Sequence, residues 1–355
     1  MSRTFRLALV LGCVVLLVAC ESLRYYGQAV SGQLYILSHR TPIATLLQDP
    51  QTSPALKARL ASITRIGAFA ENELHLPLGS NYSTYVDLQR RYVVWNVFAA
   101  PEFSMQPLAW CYPIAGCVSY RGYFSEQSAQ DFAATLKKQG LDVFVGGVAA
   151  YSTLGWFSDP VLNTIINRDD YQLAGLIFHE LAHQIVFIPG DTEFNESFAT
   201  TVEREGVQRW LASLDTAPQI RSQLAADINA QASRQQQFVS LVEAAVADLN
   251  ALYAGPLAEA GKRQAKQQRL HQLREDYATL KAEWQGYDGY DAWFASDLNN
   301  AQLGTVVTYN RLVPAFTAML HQANGDFALF YQNAMQLKQL DPALRAQKLQ
   351  LLMSP

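Results

Sequence analysis

His179 and His183, in the run Phe178-His179-Glu180-Leu181-Ala182-His183-Gln184, stand four residues apart in a stretch whose apolar spacing is helical. On a helix both imidazoles leave from one face, close enough to grip a single zinc ion. The intervening Glu180 lies one residue round, where its carboxylate can reach a water on that metal. Tyr171 to Phe178 is apolar at helical intervals, so the pattern predicts a helix from near Asp169 or Asp170 to about Phe187, ended by Pro189-Gly190. Ile177, Leu181 and Ile185 would then face the core while the histidines look into a cleft.

Two histidines leave a tetrahedral zinc one protein ligand short of a catalytic site, whose fourth position stays open. Glu196 is the best third ligand. It follows Asn195, a good helix N-cap, and opens a helix through Ser197-Phe198-Ala199-Thr200-Thr201-Val202-Glu203. The loop between His183 and Glu196 is long enough to fold this second helix back on the first. Glu203 falls two turns after Glu196 on the same face, where it can hydrogen-bond a ligand imidazole and fix its tautomer. A solvated helix carboxylate is the alternative for Glu203.

The pairing of HELAHQ with NESFATTVE resembles the HExxH and NEGFA-type helices of the gluzincins, aminopeptidase N-like enzymes in particular, over residues 171 to 206. The chain as a whole is similar to a bacterial family of predicted aminopeptidase lipoproteins. The resemblance implies a zinc peptidase with one Zn2+ per chain held by His179, His183 and Glu196, with Glu203 behind a ligand and Glu180 as general base. It departs from aminopeptidase N-like enzymes in a shorter interval from His183 to Glu196. It also lacks the glycine-alanine-methionine-glutamate-asparagine strand that anchors a substrate's free amine in those enzymes.

Val143 to Ser152 is β-rich, and paired Gly146 and Gly147 would let another backbone approach closely. With Tyr151 and Gly155 it lies where zinc peptidases of this kind carry the edge strand that pairs with an extended substrate. An ordinary core strand followed by a turn is the alternative. Amide hydrolysis also needs a donor for the developing oxyanion. Because aminopeptidase N-like enzymes use a downstream tyrosine, the resemblance points to Tyr309, with His321 as a second candidate. For a free-amine anchor the sequence offers only Glu193 or Asp159.

At the start of the chain, Arg3 and Arg6 precede an apolar run from Leu7 to Ala19, and Leu17-Val18-Ala19-Cys20 fits a lipoprotein cleavage box. The expected product lacks residues 1 to 19 and is anchored in the bilayer by acyl chains on Cys20. Glu21, rather than aspartate, after the cysteine suggests the outer membrane, facing the periplasm. Cys111 and Cys117 then remain as an even pair, and the Pro and Gly between them suit a small disulfide loop in an oxidising compartment. A net charge of −4 gives no reason to invoke nucleic acid.

Residues 42 to 75 read as helix, with Leu56, Leu60, Ile63 and Ile66 on one face, and Tyr92 to Ala100 reads as a strand. Ser125 can cap a helix running to Gln139, closed by Gly140. In residues 217 to 285, Phe238, Val242, Ala245, Leu249 and Leu252 step by four and three, as do Leu270, Leu273, Tyr277, Leu280 and Trp284. That pattern predicts a long antiparallel helical hairpin, broken between Gly255 and Gly261, with Lys262, Arg263, Lys266 and Arg269 most simply on its solvated face.

The expected fold is therefore α+β: a zincin-like metallopeptidase domain with a small mixed sheet and a mostly helical C-terminal half. Its parts would be a signal peptide (1–19), a catalytic domain (20–215), the hairpin (216–286) and C-terminal helices completing the catalytic domain (287–355). The expected activity is aminopeptidase action on peptides. A cell-envelope endopeptidase is its rival within the same chemistry. A non-catalytic scaffold with structural zinc, using the hairpin to bind a protein partner, is its rival outside it.

Overall fold

Proline and capping side chains decide where several helices of this chain begin. The structure is a computed structural model that describes residues 24–112, 116–150, 152–153 and 157–353, with the backbone alone at 308–310. Helix α1 covers 24–38. It is followed by β1 (Thr41–Pro42), α2 (Ile43–Gln48), α3 (Pro54–Asn72), β2 (Thr84–Val86), β3 (Val94–Pro101), β4 (Trp110–Tyr112), β5 (Gly116–Val118) and β6 (Arg121–Tyr123). Next come α4 (Glu126–Lys138), β7 (Leu141–Val148), β8 (Val161–Leu162), α5 (Asp170–Ala182) and α6 (Thr192–Ser213). The chain finishes with α7 (Pro218–Ala254), α8 (Glu259–Glu283), α9 (Asp291–Ala295), α10 (Asn300–Asn310), α11 (Val313–Gln322), α12 (Phe327–Lys338) and α13 (Pro342–Met353). The fold is mixed α+β and mostly helical, with small sheets. Among the described residues, no helix is long and apolar enough to cross a membrane.

Residues 42 to 75 form two helices, not one. Pro50 falls between α2 and α3, and Pro54 takes the first turn of α3, where its missing N–H costs nothing. Ser53 accepts a hydrogen bond from the Leu56 amide at 3.2 Å and caps the new helix. Ser125 caps α4 in the same way, and Gly140, with φ of 79°, turns the chain back into β7.

β7 lies antiparallel to β3 from Leu141↔Pro101 to Val148↔Val94 and forms one edge of a three-stranded sheet in the order β6-β3-β7. A second small sheet, β1-β2-β8, is mixed, and β4 and β5 form a separate ribbon. The main core lies among α3, α5, α6, α11 and α12. Phe178, Phe194, Phe198, Phe316, Phe327 and Phe330 are fully buried there, with the Phe198 and Phe330 rings stacked 5.4 Å apart. Truncating any one of them would cost about 3–5 kcal/mol. Helices α5 and α6 approach closely at Gly206, where a Cβ would lie 2.7 Å from the Phe178 ring.

Helices α7 and α8 form the hairpin, zipped by Val242, Ala245, Leu249, Leu270 and Leu273. Its basic residues are only in part a solvated face: Arg263 is exposed, but Lys266 is buried. Lys266 is only 3% exposed and donates to Asp142 Oδ2 at 2.6 Å and to the Glu102 carbonyl at 2.9 Å. Arg263 forms a two-pronged ion pair with Glu102, Arg269 pairs with Asp248, and Lys262 donates to the Tyr253 carbonyl. Asn300 in α10 joins the same junction, donating to the carbonyls of Pro101, Glu102 and Ser104. The hairpin is thus fastened to the β3–β7 sheet by a buried polar network that seam periodicity alone does not reveal.

Candidate metal centre

Helix α5 ends earlier than its apolar pattern predicts. Its last residue is Ala182 and His183 is its C-cap, because the amides of Gln184 and Ile185 reach back only three residues, to Leu181 and Ala182. The chain then leaves the helix axis and is caught by Asn195. That side chain accepts from the Ile188 amide at 2.8 Å and donates to the Ile188 carbonyl at 2.9 Å. Asn195 is therefore a buried clamp inside α6 rather than its N-cap. The cap is Asp191, which accepts from the Phe194 amide at 3.1 Å, so Glu196 sits in the second turn of α6.

The clamp sets α6 against α5 with three ligand-bearing side chains converging. His179 Nε2 lies 3.2 Å from Glu196 Oε2, and His183 Nε2 lies 3.7 Å from the same oxygen. The two imidazole rings are 4.9 Å apart and nearly perpendicular. A tetrahedral zinc with bonds of about 2.1 Å places neighbouring ligand atoms about 3.4 Å apart. The two observed spacings bracket that value, and the three residues form a group able to hold a metal ion. Two neutral nitrogens and one carboxylate also suit zinc chemically. Glu203 lies behind the site, its Oε2 3.1 Å from His179 Nδ1. Gly175 makes room for it, since a Cβ there would lie 3.3 Å from the Glu203 side chain.

Electrostatics divide these residues. Burial opposes a charge on His179, but its hydrogen bonds to Glu196 and Glu203 win and raise its pKa well above the usual value. Burial lowers that of His183 to about 4, so it is neutral at pH 7. For Glu196 burial is outweighed by His179 and His183, and its pKa is lowered. Burial raises Glu180 to about 7, with His179 opposing the shift and Glu196, Asp159 and Glu203 adding to it.

The centre lies in the wall of a cleft of about 750 Å³. Apart from His179, Glu180, His183 and Glu196, the described lining carries no charged side chain. It is dominated by Tyr25, Tyr26, Tyr112, Tyr120, Phe124, Phe157 and Phe187, with Asn96 and Gln33 among its few polar members. Aromatic pairs in the stretches 25–26 and 120–124 are the only sequence sign of this wall, and nothing local ties them to the histidines.

Gly146 and Gly147 lie on edge strand β7, but it is the end of that strand and the segment beyond it, Val148, Ala150, Ser152 and Thr153, that line the cleft. The space beside Gly147 is taken by the Tyr92 ring, not by another backbone. Tyr151 and Gly155 lie outside the described residues, as does Cys20. Tyr309 is on α10, with its side chain outside the described set. His321 is exposed at the end of α11.

Cys111 and Cys117 form a disulfide that closes the β4–β5 ribbon. The ribbon brings Tyr112 and Val118 to the cleft. Its turn residue Gly116, with φ of 72°, lies against Pro189 and Gly190, so it also backs the loop joining the two metal-site helices.

Neither carboxylate considered for a free amine is unengaged. Glu193 forms a two-pronged ion pair with Arg311. Asp159 is 4% exposed and accepts from Ser152 Oγ and from the amide and hydroxyl of Thr153.

No curated protein and no solved structure matches this chain. Residues 24–349, nearly its whole length, match the family described as "Putative aminopeptidase", and the chain belongs to that family.

Proposed function

We propose that this protein is a zinc-dependent aminopeptidase. The observation that carries the reading is the convergence of His179 and His183 on Glu196, at 3.2 and 3.7 Å from its carboxylate, with Glu180 beside them in an apolar cleft. A zinc ion held by the three would polarise a peptide carbonyl and acidify a water. Glu180 then acts as general base. Burial raises the pKa of its carboxylate, to about 7 before any metal binds, so it is the more basic carboxylate for taking a proton from water and passing it to the leaving amine. Glu203 orients His179. The aromatic wall excludes water and receives apolar side chains, while Tyr309 or one of the cleft phenols supplies the oxyanion donor.

An endopeptidase is the second reading. What favours it is that Glu193 and Asp159 are both engaged and no other carboxylate among the described lining residues is spare for a substrate's free amine. The leader ending in Cys20 supports a lipid-anchored protein facing the periplasm in either case.

The test compares wild type with Glu180→Gln, both with measured zinc content, on aminoacyl fluorogenic substrates and on N-acetylated peptides of the same sequences. Zinc-dependent release from free amino termini alone, lost in Glu180→Gln, is the expected result. Cleavage of the acetylated set would replace the aminopeptidase with the endopeptidase. Hydrolysis of neither set despite one bound zinc would overturn both.

A further inference from the structure

Helix α1 has two apolar faces, and among the described residues only one has a protein partner. On the inner face Tyr25, Ala29 and Gln33 reach the cleft and Ile36 is 2% exposed against Val86, Leu88, Val93 and Val94. Gly32 lies so close to the Phe124 ring that a Cβ would overlap it, and Gln28 Oε1 accepts from the Phe124 amide at 2.8 Å. The helix is therefore fixed in rotation. Its outer face shows Val30 and Leu34, one turn apart and exposed by 59% and 57%, with Tyr35, exposed by 46%, beside them and Tyr26, exposed by 47%, at the edge where this face meets the cleft. Single exposed apolar residues are ordinary, but three on one face of a short helix, extended by Tyr26 at the rim, form a patch.

The sequence on either side says what covers the patch. No acidic residue occurs between Glu21 and Asp49, while Arg24, the first residue of α1, is basic. The cleavage box places Cys20 four residues before α1. Four extended residues span at most about 14 Å, so an acylated Cys20 would hold the start of α1 within that distance of the lipid headgroups. Tyrosines flanking aliphatic residues, with an arginine at the helix start and no carboxylate, are the side chains an interfacial helix uses.

We propose that the outer face of α1 lies on a phospholipid bilayer, with Val30 and Leu34 inserted and Tyr26 and Tyr35 at the headgroup level. This rests on the lipoprotein reading of the leader, not on the chemistry of the metal centre. The opposite face of the same helix walls the cleft, so the cleft opens beside the membrane surface and faces peptide segments close to it. Lipid anchoring alone would leave the orientation of the domain free, and the α1 contact would fix it.

The test introduces single cysteines at Val30 and Leu34, with Leu329 on α12, itself 42% exposed, as control. Each full-length variant carries an environment-sensitive fluorophore on that thiol, Cys111 and Cys117 being paired. Vesicles of zwitterionic and anionic phospholipid, with or without nitroxide-labelled lipid, are the probe. Expected are a blue shift and nitroxide quenching at 30 and 34, and neither at 329. Labels at 30 and 34 that stay as accessible to aqueous iodide as that at 329 would overturn the proposal. A shift without vesicles that grows with protein concentration would also overturn it, in favour of a second copy. The mass of the N-terminal peptide reports acylation of Cys20 separately. If it is absent, the lipoprotein reading fails, and the same fluorescence on variants that also carry Cys13→Ser and Cys20→Ser, which leave no second thiol, decides whether the helix itself meets lipid. Hydrolysis of short soluble peptides by Val30→Glu/Leu34→Glu should match wild type, because neither residue lines the cleft.

Discussion

His179 Nδ1 faces Glu203 Oε2 at 3.1 Å, and Glu203 lies two helical turns beyond Glu196, which faces the other nitrogen of the same ring. A carboxylate can only accept, so a proton on Nδ1 is given to Glu203 and Nε2 keeps its lone pair for a metal. The seven-residue offset in α6 thus puts one carboxylate in the group able to hold a metal and another behind it. Replacing Glu203 by alanine should weaken zinc affinity by about 10- to 100-fold, with little change in fold. Competition with a chelating dye would measure this. Unchanged affinity would reduce Glu203 to a surface carboxylate.

Zinc uptake should release protons. In the metal-free protein at pH 7, His179 is protonated because its hydrogen bonds outweigh burial, whereas burial keeps His183, at about 4, neutral. Glu180, raised to about 7, is near half-protonated. Binding must take the proton from His179, and the ion's charge expels what remains on Glu180, giving between about one and about one and a half protons. By pH 8 the Glu180 share falls away and the total approaches about one. Calorimetry in buffers of different ionisation enthalpy reads this directly. Heat independent of buffer at pH 7 would contradict it.

Asn195→Ala should both destabilise the fold and loosen the centre. Asn195 is 2% exposed, and its loss strands the amide and carbonyl of Ile188. Two buried groups without partners cost about 2–6 kcal/mol together. The same clamp sets the loop between His183 and Glu196, so zinc affinity should fall in parallel with the urea midpoint. Asn195→Asp, which can accept but not donate, should fall between.

The parts of this fold legible in the sequence are those with short-range periodicity. A four-residue histidine spacing and a seven-residue glutamate spacing are helix arithmetic, and Ser53 and Ser125 cap where such residues should. Asn195 was open to misreading because asparagine is both a common N-cap and a two-sided hydrogen-bonding group. Only the competing Asp191, four residues earlier, hints at the second role. The end of α5 depends on that clamp across a loop, so apolar spacing up to Phe187 could not locate it. The aromatic wall and the burial of Lys266 depend on distant partners, Asp142 and Glu102 lying 124 and 164 residues from Lys266, and no local pattern encodes them.

Lys266 tests the docking of the hairpin. Its ammonium is buried against Asp142, whose Oδ2 also accepts from the Asn300 amide at 2.8 Å. Lys266→Met removes one charge and leaves the other in a low-dielectric junction, which should cost about 3–5 kcal/mol in urea unfolding. Lys266→Met/Asp142→Asn should recover part of the loss, because the stranded charge is gone. A single variant as stable as wild type would mean that water reaches Asp142.

The cleft predicts a side-chain preference. Among its described lining residues the only charges belong to the metal centre, and the remaining wall is aromatic and aliphatic. A substrate side chain entering it gains by leaving water if apolar, but must surrender its hydration without a partner if charged. Pockets of this kind separate substrates differing by one methylene by about 10- to 200-fold. Phenylalanyl and leucyl substrates should therefore exceed glycyl ones in kcat/KM by at least about 10-fold, with aspartyl substrates lowest. Ala150, on the wall beyond β7, provides the structural control. Ala150→Trp would fill the space that receives the side chain, so it should cut the phenylalanyl rate far more than the alanyl rate while zinc content stays constant. Equal losses on both substrates would place the specificity pocket elsewhere in the cleft.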